Sequence, residues 1–363
     1  MRMSAMGKRI LACSLVLASV SAFADGRRAM EAGQPGTGAP GPGVTISAAP
    51  AQRTVTIAQD QVRGLRSAPH KLDASGFVTS KWSADGTIEQ IPAPAAIVEA
   101  LKAMAPAAPS QAPEDRAKPG KLDPEGIEPV SGKQDKVVFG KDERSKIKDT
   151  TRYPFSTVVQ IVTEFPDGTL LGCSGTVIGT NHVLTAASCV FDTETNAWPK
   201  SIDVYPGRDG NRGPLGAFAG TGLAVPNGFS DAQKGVYDYD RMQYDVAVVS
   251  FNDPIGNTTG WMAYGYDDGL PVFVGNLVGY PSDKDNTMWH ASCEIDPKQI
   301  EPNFFAHQCD LNGNTGASIY QYVKSRDERT IYAVQVGSNQ DANYAVRITG
   351  PWFDWIRGIK NGN

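Results

Sequence analysis

From Val137 to the C-terminus the chain is a succession of short apolar runs, and this texture constrains the fold more than any other feature. The runs are rich in Val and Ile and are separated by Gly, Pro, Asn and Asp; they include STVVQIVTEF, SGTVIG, SIDVYPG, DVAVVSF, PVFVGNLVGY and TIYAVQVG. Many short strands at close spacing are typical of an all-β sandwich or a pair of barrels. The length is enough for two small barrels with their own cores. After Pro351, apolar residues at helical spacing predict a C-terminal helix.

The N-terminus has the pattern of an export signal. Lys8 and Arg9 precede a short apolar run, and Ala22-Phe23-Ala24 fits a small-x-small cleavage site. The pattern predicts a signal peptide over residues 1–24, too short to act as a membrane-spanning helix. No later stretch is long and apolar enough to span a membrane, so we expect a secreted protein, extracellular or periplasmic, after cleavage near Ala24.

Residues 25–136 have a different composition, rich in Ala, Pro and Gly, as in EAGQPGTGAPGPG and APAAPSQAPEDRAKPGK. Such composition predicts a largely disordered segment. Two pieces favour local structure: GFVTSKWSADGTIEQI as a hairpin around Asp85-Gly86, and PAAIVEALKAMA as a helix. The segment is either a disordered spacer or a pro-segment that assists folding or is cut away, and we expect removal rather than retention.

The cysteines indicate disulfides rather than a metal site. Of five cysteines, Cys13 leaves with the signal peptide, and four remain: Cys173, Cys189, Cys293 and Cys309. An even number in an exported chain favours two disulfides, for which three connectivities are open. No Cys-x-x-Cys motif or His/Cys cluster indicates zinc. We therefore expect no metal and no cofactor.

The charge pattern argues against a nucleic acid partner. The formal net charge is −5 at pH 7, and no basic run alternates with aromatic residues. Binding to phosphates requires a positive surface. We expect a monomer whose partner is a protein or peptide.

Three segments carry a recognisable order of motifs. CSGTVIGTNHVLTAASC has two cysteines around a strand, YDVAVVSF places Asp245 at the head of a buried strand, and CDLNGNTGAS is a Gly-bracketed turn that holds Thr315. This order resembles that of base, orienting acid and nucleophile in trypsin-like, chymotrypsin-fold serine proteases. Within that superfamily, residues 137–363 look most like the bacterial glutamyl endopeptidases, through VVFGKDERSKIKDTTRYPFSTVVQI, YPGRDG, YDVAVVSFNDPIGNTTG, GYPSDK and NYAVRIT.

The resemblance implies the fold and several covalent features. It implies two antiparallel six-stranded β-barrels followed by a C-terminal helix, over residues 137–363. It also implies the disulfides Cys173–Cys189 and Cys293–Cys309. Family mature chains resemble the sequence that begins VVFG, so the resemblance places a processing site between Lys136 and Val137.

The chain departs from the family at two positions of the catalytic triad. Ser188 stands at the position of the base, where the family has histidine, and a hydroxyl cannot accept a proton at neutral pH. Thr315 stands at the position of the nucleophile, and its extra methyl group restricts the rotamer and crowds the path of attack. Asp245 stands at the position of the acid. Gly313, with Thr315, is expected to supply the main-chain N–H groups of an oxyanion hole.

The specificity pocket departs as well. Glutamyl endopeptidases carry a histidine on the penultimate strand to pair with a substrate carboxylate, and the matching residue here is Gln335, which is neutral. Asp310 is expected near the pocket floor, where it would repel a glutamate side chain. Gly337 is assigned to the pocket with them. The pattern favours Lys or Arg over Glu as any charged group that the pocket accepts.

Two functions remain open. The first is a pseudoprotease that binds a protein or peptide ligand in the former substrate cleft. The second is a weak or atypical serine-type hydrolase that uses Thr315 with Asp245 and the Gly313 oxyanion hole. Ser188 favours the first, whereas the extent of the family resemblance favours the second. A relocated base would have to come from His182, His290 or His307, which we interpret as ordinary strand or surface histidines.

Overall fold

The strands of the chain form two large sheets and one short ribbon. The structure, a computed structural model, describes residues 20–23, 27–36, 43–57, 72–104, 142–295, 303–310 and 313–362. The strands in chain order are β1 Val20–Phe23, β2 Arg27–Met30, β3 Val44–Thr45, β4 Ala51–Gln52, β5 Thr79–Ser83, β6 Ile88–Ile91, β7 Ser145–Lys146, β8 Val158–Glu164, β9 Leu170–Gly179, β10 His182–Thr185, β11 Ser201–Pro206, β12 Arg212–Gly213, β13 Phe218–Ala219, β14 Gly222–Pro226, β15 Ala247–Ser250, β16 Ala263–Asp267, β17 Phe273–Gly279, β18 Trp289–Ile295, β19 Phe304–His307, β20 Ser318–Val323, β21 Glu328–Ser338 and β22 Asn343–Arg347.

The first sheet has the order β13-β11-β8-β9-β10-β15-β14-β5-β6, and β4 pairs with β9. Its strands show two patterns of burial, alternating in a strand with one solvated face and continuous in a strand covered on both faces. In β11 the buried residues alternate, with Ile202 and Val204 facing the core, as in a sheet with one solvated face. In β8 six consecutive residues from Val158 are buried, because this central strand is covered on both sides.

The second sheet has the order β1-β2-β16-β21-β20-β17-β18-β7, and β22 joins β21 to β19. The pairings β4–β9 and β16–β21 are parallel, so the sheets are mostly rather than wholly antiparallel. The all-β prediction with two sheet bodies is confirmed. Both ladders are open among the described residues, and one edge of each is formed by a strand from the N-terminal part of the chain, β6 in the first sheet and β1 in the second.

Helices are few and short. They are α1 Ala95–Ala103, α2 Asn227–Ser230, α3 Tyr239–Met242, α4 Ile255–Thr259 and α5 Gly350–Lys360, with 3₁₀ turns at Phe155–Thr157, Ala187–Cys189 and Lys324–Arg326. The predicted C-terminal helix is α5, which begins with Pro351 in its first turn and buries Trp352, Phe353, Trp355 and Ile356. No helix in the described ranges is both long and apolar enough to traverse a bilayer.

Much of the Ala/Pro/Gly-rich segment belongs to the fold. The hairpin around Asp85-Gly86 is present as β5 and β6, and β5 pairs with β14 of the first sheet. The predicted helix is α1, which packs against α5. Phe77, Trp82 and Ile97 are at most 3% exposed. Residues 72–104 are therefore not a disordered spacer. Their few apolar side chains are buried against the rest of the protein, in contacts that the local sequence pattern does not predict.

Candidate active-site cleft

Ser188 and Asp245 are held together by a main-chain hydrogen bond. The 3₁₀ turn Ala187–Cys189 follows β10, and Asp245 precedes β15, which pairs with β10. The Ser188 N–H donates to Asp245 Oδ1 at 2.7 Å, and both residues are fully buried. The Ser188 hydroxyl reaches hydrogen-bonding geometry with none of the described residues. The main chain of the turn is thus anchored to the carboxylate.

The second oxygen of Asp245 is bonded to Tyr237, which the sequence did not single out. The Tyr237 hydroxyl donates to Asp245 Oδ2 at 2.5 Å. In a Ser-His-Asp triad, the carboxylate instead accepts the Nδ1–H of the imidazole. The phenol therefore takes up an oxygen of Asp245 that an imidazole would need.

The electrostatics of this pair keep the Tyr237 hydroxyl protonated at neutral pH. Burial raises the pKa of Asp245, and the hydrogen bonds from Tyr237 and Ser188 offset this only in part. Burial, reinforced by the neighbouring Asp245, raises the pKa of Tyr237 well above the usual range of a phenol. Tyr237 stays a neutral donor, because a phenolate beside a carboxylate would place two negative charges in a buried site. It cannot replace a histidine as general base.

The turn that carries Thr315 is tied to both sheets through Asn314. Asn314 Oδ1 accepts a hydrogen bond from the Ser174 hydroxyl on β9, and the Tyr280 N–H donates to the same oxygen at 2.8 Å. The Ser174 N–H also donates to the Thr315 carbonyl at 2.9 Å. Gly316 has φ +86°, and a Cβ there would lie 3.2 Å from Cys189 Sγ. These contacts place the Thr315 turn directly against the turn that carries Ser188.

The Thr315 hydroxyl donates to the carbonyl oxygen of Arg53 at 3.1 Å, and Arg53 lies in the N-terminal segment. Thr315 is only 3% exposed. Among the described residues no histidine is hydrogen-bonded to this hydroxyl. Thr315, at the predicted position of the nucleophile, is therefore covered by Arg53, which is distant from it in sequence.

Gly313 adopts φ +73°, a conformation that favours glycine. A Cβ at this position would lie 2.3 Å from Ser282 Oγ. Any other residue at this position would therefore be unfavourable for two reasons, the positive φ and the close contact with Ser282. The conformation is compatible with the role in an oxyanion hole that the resemblance implies, which stays a prediction.

Gln335 forms hydrogen bonds within the protein through both its side chain and its main chain. Its Oε1 is bonded to His307 Nε2 at 2.7 Å and its Nε2 donates to the Gly337 carbonyl at 2.9 Å. Its main chain accepts from the Gly316 N–H and donates to Ala317. Gln335 thus positions the Thr315 turn relative to β21. Its side chain is not free to meet a ligand.

Asp310 and the cysteines complete the predicted set. Asp310 is 6% exposed, and its Oδ2 accepts the Glu143 N–H at 3.1 Å, so this carboxylate is engaged by the main chain near the start of the β-rich region. The disulfides are Cys173–Cys189 and Cys293–Cys309, as the resemblance implied. His307 lies close to Cys293 and Cys309, but their sulfurs are bonded to each other and offer no thiolate to a metal.

The histidines weighed as relocated bases are buried or partly buried in the sheets. Burial lowers the pKa of His182, His290 and His307 to about 4. His290 Nε2 is bonded to Asn276 Oδ1 at 3.1 Å. Among the described residues, none of these histidines is hydrogen-bonded to the Thr315 hydroxyl or to the Asp245 carboxylate.

These shifts predict a loss of stability in mild acid. Because the folded-state pKa of His290 lies below that of the unfolded chain, only the unfolded state takes up this proton between about pH 6.5 and pH 4. Each fully buried histidine should lower the free energy of unfolding by roughly 2 kcal/mol at about pH 5 relative to about pH 7.5. Urea unfolding at both pH values measures this. His290→Gln should reduce the difference; an unchanged difference would contradict the assignment to His290.

Similarity to known proteins agrees with this geometry. Residues 143–292 match the family model described as Trypsin. The chain is 29% identical over 231 residues to an extracellular metalloprotease and 28% identical over 236 residues to a glutamyl endopeptidase, from Bacillus subtilis and Bacillus licheniformis; each match covers 62% of this chain and 70% of the relative. It is 26% identical over 294 residues to inactive serine protease 35 of Mus musculus, covering 61% of this chain and 68% of the relative. A solved structure of a Glu endopeptidase in complex with MPD has a TM-score of 0.53 and 25% identity, covering 62% of this chain and 99% of that one.

The fold and the matched region make the chain similar to trypsin-like serine proteases. Within that class the chain is similar to glutamyl endopeptidase, and its relatives include an inactive protease homologue. The family resemblance drawn from the motifs is therefore confirmed.

Two residues of the cleft were missed by sequence reasoning. Tyr237 lies in a loop of mixed composition, and Arg53 lies in a segment interpreted as disordered. Neither belongs to a motif of the family pattern. Only the fold brings a phenol to Asp245 and a distant main-chain carbonyl to Thr315.

Proposed function

We propose that this protein is a pseudoprotease, an exported trypsin-like homologue that binds a protein or peptide in its cleft without cutting it. The observation that carries the proposal is the state of Asp245. Each of its oxygens accepts a hydrogen bond, one from the Ser188 main chain and one from the Tyr237 hydroxyl, so Tyr237 competes for the carboxylate that would orient an imidazole. Among the residues that the structure describes, no histidine is hydrogen-bonded to Asp245 or to the Thr315 hydroxyl.

The chemistry then lacks its first step. A hydroxyl becomes an effective nucleophile when a neighbouring base removes its proton, and a general base contributes about 10² to 10⁴-fold to the rate. The Thr315 proton is instead directed to the Arg53 carbonyl, which is not a base at neutral pH. Export is supported by the signal pattern and by two disulfides.

We expect no hydrolysis by the unmodified protein. Casein and peptide esters of Glu and Lys should be turned over at the same rate by the wild type and by Thr315→Ala, and a fluorophosphonate probe should label neither. Active trypsin serves as the positive control for the substrates and the probe. Hydrolysis or labelling that disappears in Thr315→Ala would reject the pseudoprotease and support the alternative, a threonine-based hydrolase.

A further inference from the structure

Residues 51–57, AQRTVTI, cross the surface between the two sheets as an extended segment. At its start, β4 pairs in parallel with Leu171 and Gly172 of β9, and the Arg53 N–H donates to the Gly172 carbonyl at 2.7 Å. Because β9 belongs to the first sheet, this end of the segment extends the first sheet body.

At its other end the same segment is bonded to the second sheet. The Ser338 N–H donates to the Val55 carbonyl and the Ile57 N–H donates to the Ser338 carbonyl, both at 2.9 Å. Ile57 packs on Gly337, where a Cβ would lie 2.9 Å from Ile57 Cδ1. Glycine at position 337 thus makes room for this side chain, and the segment covers the strand assigned to the specificity pocket.

The middle of the segment covers the nucleophile position without presenting a bond for cleavage. Attack on a peptide requires the hydroxyl oxygen to approach the carbonyl carbon while hole donors face the carbonyl oxygen. Here the Thr315 hydroxyl donates its proton to the Arg53 carbonyl oxygen. The segment is placed as a ligand, not as a substrate.

The Arg53 side chain gives the segment a chemical signature. Its Nη2 donates to Thr193 Oγ1 at 3.2 Å. Its positive charge lies close enough to Tyr237 and Asp245 to lower the pKa of both groups, against the larger effect of burial. A cation is thereby accommodated beside the buried carboxylate.

Side chains along the segment alternate as in a half-buried strand. Val55 and Ile57 are 6% and 3% exposed, whereas Thr54 and Thr56 face solvent. Arg53, Val55 and Ile57 therefore share the face that meets the protein. This face therefore carries a basic residue, followed by apolar residues two and four positions later in the sequence.

We propose that residues 51–57 are a built-in peptide ligand of the cleft, and that the partner is an extended peptide with the same pattern, which binds by displacing them. This rests on the proposed function, a cleft that binds without cutting. Recognition combines main-chain pairing with pockets for alternate side chains. The tether gives the segment an effective concentration of order mM, so a competing peptide binds weakly until the segment is released.

The test uses the full chain and a fluorescein-labelled peptide of residues 50–58, PAQRTVTIA, followed by fluorescence anisotropy. In the variant Val55→Asp/Ile57→Asp the buried side chains become charged and the segment should leave the cleft. The matched control, Thr54→Asp/Thr56→Asp, adds the same charge at exposed positions. We expect the peptide to bind the first variant at least ~10-fold more tightly than the wild type or the control, because the tethered competitor is gone. A peptide with Arg53→Ala should lose most of this binding.

Equal affinity of all three proteins, or no effect of Arg53→Ala, would overturn the proposal. Should the double variant fail to fold, Ile57→Ala offers a milder change, and hydrogen exchange of the Ser338 amide reports release of the segment. Faster exchange supports the proposal, and exchange equal to that of Thr56→Ala contradicts it. Hydrolysis of the peptide by the released variant would refute the pseudoprotease instead, so the two failures are distinguishable.

Discussion

Replacing Phe77 by alanine should lower the free energy of unfolding by about 3–5 kcal/mol, the range for removal of a buried phenylalanine side chain. Phe77 is fully buried and makes edge-to-face contacts with Trp352 at 4.8 Å and Tyr244 at 5.6 Å between ring centroids. Urea unfolding of the full chain measures the effect. Ile88→Ala, in the same hairpin, is the control, because Ile88 is 47% exposed.

The result bears on processing, since Phe77 lies in the segment expected to be removed. Hydrogen bonds connect this region to the β-rich part of the protein. The Asn227 main-chain N–H donates to the Val78 carbonyl at 2.7 Å, and Trp355 Nε1 donates to Thr79 Oγ1 at 2.9 Å. Cleavage between Lys136 and Val137 therefore need not release residues 72–104. A chain with the N-terminal sequence Val-Val-Phe-Gly that co-elutes with the cleaved segment would agree with this, whereas a silent Phe77→Ala variant would show the segment to be dispensable.

The variant Ser188→His/Thr315→Ser should remain inactive, and adding Tyr237→Ala should raise esterase activity by about 10² to 10⁴-fold, the usual contribution of a general base. We expect histidine alone to be insufficient, because the Tyr237 hydroxyl competes for the Asp245 oxygen that would orient the imidazole. The assay uses peptide esters of Lys and Glu. It is made in the Val55→Asp/Ile57→Asp background, since residues 51–57 cover Thr315.

We expect the changes at positions 188, 237 and 315 to be strongly non-additive. Each change alone should give no esterase activity, because the three positions depend on one another. Tyr237→Phe is the matched control, because it frees the Asp245 oxygen but leaves the ring in place. Activity in the double variant that equals the activity of the triple variant would show that Tyr237 is no obstacle. Circular dichroism and unfolding midpoints confirm that each variant is folded.

The sequence by itself determined the all-β architecture and led to the prediction of a degenerate catalytic triad. The alternation and spacing of short Val/Ile-rich runs specify strands, because side chains on a strand repeat every two residues. The hairpin around Asp85-Gly86 and the helix after Pro351 followed from equally local rules. The prediction that Ser188 replaces a catalytic base came from one residue that departs from a long family pattern.

Only the tertiary structure decided how the cleft is filled. Tyr237 meets Asp245, and Arg53 meets Thr315 across 262 positions of sequence. The family motifs lie after Val137 and do not include residues 51–57, whose composition alone predicts disorder. Their order comes from pairing with strands that already exist, Gly172 on one side and Ser338 on the other. Non-local hydrogen bonds and burial supply a stabilisation that no local window of sequence contains.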